Sequence, residues 1–335
     1  MKRALIDRVA RDWRLDEAAV AVALEATGAR PGRDDWRRFL SRLALGAGVA
    51  SLAAAAIMFI AANWQSLAVV GRFALAHAAI VACAGVAFWR PPPHAMGRAA
   101  LALAIVVSGA LLALYGQAYQ TGADLYELFF AWAGLTVVFA IAAASGAAWA
   151  IWWCVLNVGL ALFAGTVPFG RGMWWWIDRW HPGSAEACLA IAAIDFAAAA
   201  GFARLHGTSL SAHAPRWLSR LLLAFAFGYG TAACLLALGE APAPVVIGTF
   251  AVLSIAVGGL ALRARSDVFP LAAIAGAWIV VTTVLLARAL ERGMSEGGIF
   301  LLALWVIGTS SATGFALMHW VRAWRVEEES GEATA

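Results

Sequence analysis

The chain has 335 residues, of which 63% are hydrophobic and only 13% are charged. An average soluble domain has about 45–50% apolar and about 25% charged residues, so this composition excludes a soluble enzyme, a secreted disulfide scaffold and a disordered chain. The formal net charge is +4, but the basic residues stand mostly between apolar runs. That distribution argues against a nucleic-acid partner and is typical of a membrane protein in a lipid bilayer.

Residues 1–42 predict a short amphipathic helical arm on the cytoplasmic side. Asp16 can cap a first helix that stops at Gly28, and Asp34 or Asp35 can cap the helix that leads into the first span. We expect the arm to lie on the bilayer or on the protein's own loops, with a docking site for a partner as the alternative. A cleaved signal would place its apolar region within about the first 15–30 residues, so the first span is expected to direct insertion.

Ten apolar runs follow, each close to the roughly 20 residues that a membrane-spanning helix needs. They lie at 43–62, 68–89, 99–116, 127–144, 147–166, 185–204, 219–239, 243–263, 270–288 and 299–320. The runs lack the alternation of apolar and polar residues that marks the strands of a membrane barrel. The sequence therefore predicts an all-α, polytopic helical membrane protein with about ten transmembrane helices.

These runs divide the rest of the chain into four regions. A first membrane region at 43–166 is followed by a Trp-rich outer loop at 167–184, a second membrane region at 185–320 and an acidic cytoplasmic tail at 321–335. Small residues are expected to let the spans approach closely, at Gly46, Gly48, Gly228, Gly230, Gly308 and Gly314.

The distribution of Lys and Arg predicts the orientation, because cytoplasmic loops of membrane proteins carry an excess of both. With the N-terminus inside, the inner segments hold 19 of these residues and the outer segments hold five. We therefore expect a multi-pass protein of the bacterial inner membrane with both termini in the cytoplasm.

Two stretches of the first membrane region carry a recognisable pattern. The first span ends with AIMFIAANW at 56–64, and an outer loop reads GQAYQTGADLYELFFAW at 116–132. Together with the helical arm, they make residues 1–165 resemble the DUF2157 family of bacterial polytopic membrane proteins. The resemblance implies a bacterial membrane location and assigns no activity.

The predicted topology brings both stretches to the outer face. One interpretation is a helix cap at Asn63 with interfacial anchoring by Trp64 and the tyrosines. The alternative is an outward-facing polar site, in which Arg72 would complement an anion or pair with a carboxylate. The candidate residues of this site are Asn63, Trp64, Arg72, Gln117, Tyr119, Gln120, Asp124 and Tyr126.

Asp195 and His77 are titratable residues that stand deep inside predicted spans. Asp195 lies about 15 Å, and His77 about 13 Å, from the outer end of its span at 1.5 Å per residue. A carboxylate near the bilayer centre costs about 2.5–3.5 kcal/mol and should face the bundle interior. The equal depth permits a protonatable pair of Asp195 and His77, either as a proton-coupled centre or as a structural hydrogen bond. Asn157 of the fifth span has the same two interpretations.

Catalytic, cofactor-binding and metal-binding motifs are absent from the sequence, which has no HExxH, GxSxG, phosphate-loop or dinucleotide motif. The four cysteines fall inside apolar runs without a CxxC pair, so buried structural thiols are expected. In the Trp-rich loop, interfacial anchoring is the main interpretation and a cation–π site the alternative. We therefore expect neither catalysis nor a bound cofactor or metal.

Two functions remain open at this stage. The first is a non-catalytic component or regulator of an envelope membrane complex, with another membrane protein or a second copy of the chain as partner. The helical arm and the sparse intramembrane charge favour it. The alternative is a small-solute or ion transporter that uses the protonatable Asp195.

Overall fold

The computed structural model describes residues 10, 16–27, 32–62, 66–120, 122, 124–165, 184–206, 208, 213–238, 243–264, 267–290 and 296–332. Helices make up nearly all of these residues. No strand occurs within these residues. The helices are α1 (Glu17–Ala26), α2 (Arg33–Ala62), α3 (Val69–Trp89), α4 (Ala95–Tyr119), α5 (Leu125–Ala143), α6 (Gly146–Phe163), α7 (Ser184–Arg204), α8 (Arg216–Ala237), α9 (Ala243–Ala264), α10 (Phe269–Leu290) and α11 (Glu296–Glu332). From α2 to α11, ten helices are long and apolar enough to cross a membrane. The all-α prediction with about ten spans is confirmed.

The chain divides into two compact units, Met1–Arg72 and Phe73–Ala335. In the first unit, the Asp16 carboxylate accepts a hydrogen bond from the backbone N–H of Ala19 at 2.7 Å, so the predicted cap of α1 is confirmed. Helix α2 runs without a break from Arg33 to Ala62. The second helix of the arm and the first predicted span are therefore one helix.

The second unit contains two groups of packed helices. Helices α4, α5 and α6 contact one another, and α7 and α8 lie side by side in a second group with α9 and α10. Helix α6 also contacts α7 and α8, so it joins the two groups. The side chains of α6 that face α7 therefore lie between the two groups.

The boundary between α5 and α6 shows why the fourth and fifth spans are separate helices. Ala144 takes a left-handed conformation, with φ at 45°, and its N–H bonds the carbonyl of Ile141. This conformation ends α5, and α6 begins at Gly146. An alanine here is strained, because its β-carbon approaches the next carbonyl oxygen.

Two expectations about packing need correction, and one predicted boundary falls within a helix. A β-carbon at Gly230 would overlap the Phe250 ring, but at the other five predicted packing glycines it would meet no described atom within 4 Å. Cys154 is exposed, whereas the other three cysteines are buried. Helix α11 continues to Glu332, so the predicted tail at 321–335 begins inside a helix.

Candidate functional site

The most deeply buried polar pair joins α6 to α7. Asp195 of α7 is 0% exposed and Asn157 of α6 is 4% exposed. The Asn157 side-chain amide donates to Asp195 Oδ1 at 3.1 Å and also lies 3.1 Å from the carbonyl of Trp153 in its own helix. The Asn157 amide therefore has a partner for each of its two N–H groups.

Of the three side-chain oxygens of this pair, only Asp195 Oδ1 has a hydrogen-bond partner among the described residues. Asp195 Oδ2 and Asn157 Oδ1 are both buried and have no hydrogen-bond partner among the described residues. Both atoms accept hydrogen bonds, and an ionised carboxylate offers no donor. Buried polar groups are almost always hydrogen-bonded, and a proton on Asp195 is one donor that these two oxygens could share.

The surroundings of the pair are apolar and aromatic. Phe196, the residue after Asp195, packs edge-on against Phe227 of α8 with the ring centroids 4.9 Å apart. Tyr229 of α8 lies near enough to Asp195 and Cys188 to interact with both electrostatically. These neighbours include no basic side chain that would offset a charge on Asp195.

The structure does not pair Asp195 with His77. The His77 side chain is exposed, and its Nδ1 atom lies 2.8 Å from the carbonyl oxygen of Phe73 in its own helix. Among the described residues, no hydrogen bond joins it to Asp195, whose bond goes to Asn157. Depth alone did not distinguish these two partners, because Asn157 also lies about 13 Å from the predicted outer end of its span.

The predicted outer polar site is brought together only in part. Gln117, Gln120 and Asp124 line a cleft of about 750 Å³ between the end of α4 and the start of α5, and Glu127 joins them. The polar lining of the cleft thus has two carboxylates, two amides and the phenol of Tyr115. Glu127 stands in the first turn of α5, close to the loop that follows α4. This position could have indicated that Glu127 lines the cleft.

The two tyrosines of that predicted site do not line the cleft. The ring of Tyr119 packs against Tyr115 at 4.8 Å and against Phe73 at 6.1 Å, and Tyr126 packs against Phe163 at 5.3 Å. Arg72 lies in the first turn of α3, within the first unit. Asn63 and Trp64, and the Trp-rich segment up to residue 183, lie outside the described residues.

Residues 9–149 match the DUF2157 family model, whose description is "predicted membrane protein". The predicted resemblance is confirmed over these residues. No curated protein and no solved structure matches the chain. The DUF2157 match ends within the first turn of α6, so it includes the outer cleft but neither Asn157 nor Asp195.

Proposed function

We propose that the protein is a multi-pass transporter of the bacterial inner membrane, with both termini in the cytoplasm, that moves a small solute or ion by binding and releasing a proton at Asp195. The observation that carries this proposal is the pair of Asp195 and Asn157 in the interior of the helix bundle, in which one buried oxygen of each residue has no hydrogen-bond partner among the described residues.

The hydrogen-bond donors and acceptors of Asp195 and Asn157 balance better when Asp195 carries a proton. A protonated carboxyl group has one O–H donor and keeps its acceptor capacity. The proton on Oδ2 provides the donor that the pair of unsatisfied oxygens lacks, while Oδ1 continues to accept from the Asn157 amide. It also removes the cost of a buried charge. The packed bundle therefore favours the protonated pair.

An exchangeable proton distinguishes this pair from an ordinary bond between helices. Structural hydrogen bonds between membrane helices contribute only about 0.6 kcal/mol on average. An amide in place of the Asp195 carboxyl group would form such a hydrogen bond equally well. Intramembrane carboxyl groups commonly mark ion pathways and proton relays. The titratable neighbours are Tyr229 and Cys188. Tyrosine and cysteine side chains ordinarily stay protonated at neutral pH, whereas a carboxyl group does not, so Asp195 is the natural site of titration in this cluster.

The test compares Asp195→Asn with the wild type in proteoliposomes. Asparagine replaces the O–H donor by an N–H donor, so the variant should keep its stability and lose the carboxylic-acid C=O band in the infrared spectrum. Proton uptake, followed with an internal pH dye under an imposed membrane potential, should also be lost. Thr136→Val is the matched control, because Thr136 is equally buried but its hydroxyl bonds its own helix at 2.7 Å.

Two results would contradict the proposal. One is unchanged proton uptake by Asp195→Asn, and the other is a wild-type spectrum with an ionised carboxylate in place of the acid band. If Asp195→Asn fails to fold, Asn157→Leu serves instead. It breaks the bond to the carboxyl group and should shift the acid band, with a loss of stability of about 1–3 kcal/mol from the unsatisfied partner.

Helix α11 favours a second function, that of a component of an envelope membrane complex. The large apolar side chains Phe300, Ile307 and Phe315 of this helix are exposed, and a β-carbon at Gly308 or Gly314 would meet no described atom within 4 Å. Small residues of this kind are common where membrane helices associate. A photo-crosslinking residue at position 311 should then capture a partner protein in the native membrane, and labelling of lipid alone would refute this function.

A further inference from the structure

A cavity of about 210 Å³ lies among α7, α8, α9 and α10, and neither Asp195 nor Asn157 lines it. It is found where α7 and α9 end and α8 and α10 begin, as its lining by Ala203, Ala264 and Pro270 indicates. This volume is far above the roughly 10–15 Å³ needed to hold one water molecule. The bundle therefore has room here for part of a larger ligand.

The lining of the cavity is amphipathic. Its inner wall is apolar and includes Phe196, Leu223 and Val257, each on a different helix. The polar lining residues are His206, Arg216, Ser219, Arg220 and Asp267. A ligand that fits both parts has an apolar chain and a polar head.

The charge of the polar part favours an anionic head. Arg220 forms a two-point ion pair with Asp267, with N–O distances of 2.8 and 3.0 Å, so these two charges offset each other. Arg216 forms no ion pair within 4.0 Å among the described residues, and its side chain is exposed. The lining thus carries one uncompensated guanidinium group, whose planar fork binds phosphate oxygens well.

We propose that this cavity binds an anionic phospholipid. The phosphate group contacts Arg216, and the first part of an acyl chain lies along the wall formed by Leu223 and Val257. The position at the ends of four spans matches the depth at which headgroups meet the hydrocarbon core, and basic pockets between membrane helices commonly bind anionic headgroups. This inference is independent of proton movement at Asp195.

Native mass spectrometry of the delipidated protein tests the site by titration with phosphatidylglycerol or with phosphatidylcholine that has the same acyl chains. The wild type should bind phosphatidylglycerol more tightly. Arg216→Gln should weaken that binding about fivefold, which corresponds to about 1 kcal/mol for one basic residue. Arg220 is left intact, because its removal would leave Asp267 without its partner.

Arg263→Gln is the matched control. Arg263 stands in the last turn of α9, is exposed and does not line the cavity, so its removal should leave binding unchanged. A second variant, Ala203→Leu, fills the cavity without altering charge and should weaken binding of both lipids. The proposal is overturned if both arginine variants lose affinity equally, if Ala203→Leu has no effect, or if inorganic phosphate alone displaces the lipid.

Discussion

Replacing Gly230 by alanine should destabilise the contact between α8 and α9. The added β-carbon would overlap the ring of Phe250, which is 0% exposed. That ring has little freedom to move, because it stacks on Trp278 at 5.6 Å and meets Phe227 edge-on at 6.0 Å. Overpacking of a dense core typically costs about 1–3 kcal/mol.

Gly228 provides a matched control two residues away in the same helix. A β-carbon there would meet no described atom within 4 Å, and both substitutions gain the same helix propensity of about 0.8–1 kcal/mol. The difference between the two variants therefore isolates the overpacking cost of about 1–3 kcal/mol, which is a factor of about 5 to 150 in the unfolding equilibrium.

Unfolding titrations in mixed micelles with increasing SDS, followed by circular dichroism, measure this difference. Gly228→Ala should unfold at the same or a higher SDS fraction than the wild type, and Gly230→Ala at a lower one. Phe250→Leu should restore part of the loss when it is combined with Gly230→Ala. Equal midpoints for the two alanine variants would refute the close approach of α8 and α9.

Three further predictions concern single contacts in the second unit. Burial acts to raise the pKa of Asp267, but hydrogen bonds from Arg220 and the Phe269 N–H, with the charges of Arg220 and Arg216, outweigh it and hold this pKa below its usual value. The ion pair should therefore stabilise the fold by about 1 kcal/mol above pH 4 or so, and lose this contribution as the pH falls through the lowered pKa. Asp267→Asn should be less stable than the wild type near neutral pH and equally stable in acid. A difference in unfolding free energy that persists in acid would contradict the ion-pair mechanism. Ala144→Gly should raise the unfolding free energy by about 1 kcal/mol because it relieves the left-handed strain, while Ala142→Gly, inside α5, should lower it. Trp132→Phe removes the 2.6 Å hydrogen bond from the indole N–H to the Ile105 carbonyl and should cost about 1 kcal/mol in the same titration, with the exposed Trp305→Phe as a neutral control.

The sequence predicted the class of fold and the positions of the helices because both depend on local composition. Ten runs of about 20 apolar residues can satisfy their backbone polar groups in a bilayer only as helices. The cap at Asp16 was predictable for a similar reason, since it requires only a side chain and a backbone N–H three residues apart. Such features do not depend on which helices become neighbours.

The candidate site was predictable only in part. The cost of burying Asp195 correctly indicated a side chain in the bundle interior, but its partner was less certain because several polar residues lie at the same depth. In the outer site, Gln117, Gln120 and Asp124 share a cleft because α4 and α5 are consecutive and α4 stops at Tyr119. The tyrosines could not be assigned from sequence, since each packs against a ring on another helix.

By itself, the sequence determined that this is a helical membrane protein with about ten apolar spans, and that a carboxyl group lies within one of them. Only the tertiary structure decided that Asp195 meets Asn157, that Gly230 admits the Phe250 ring, and that Arg216 borders an amphipathic cavity. The physical reason is that hydrophobicity places a residue at a depth in the bilayer, whereas its rotation about the helix axis and its neighbours depend on side-chain packing between helices distant in sequence.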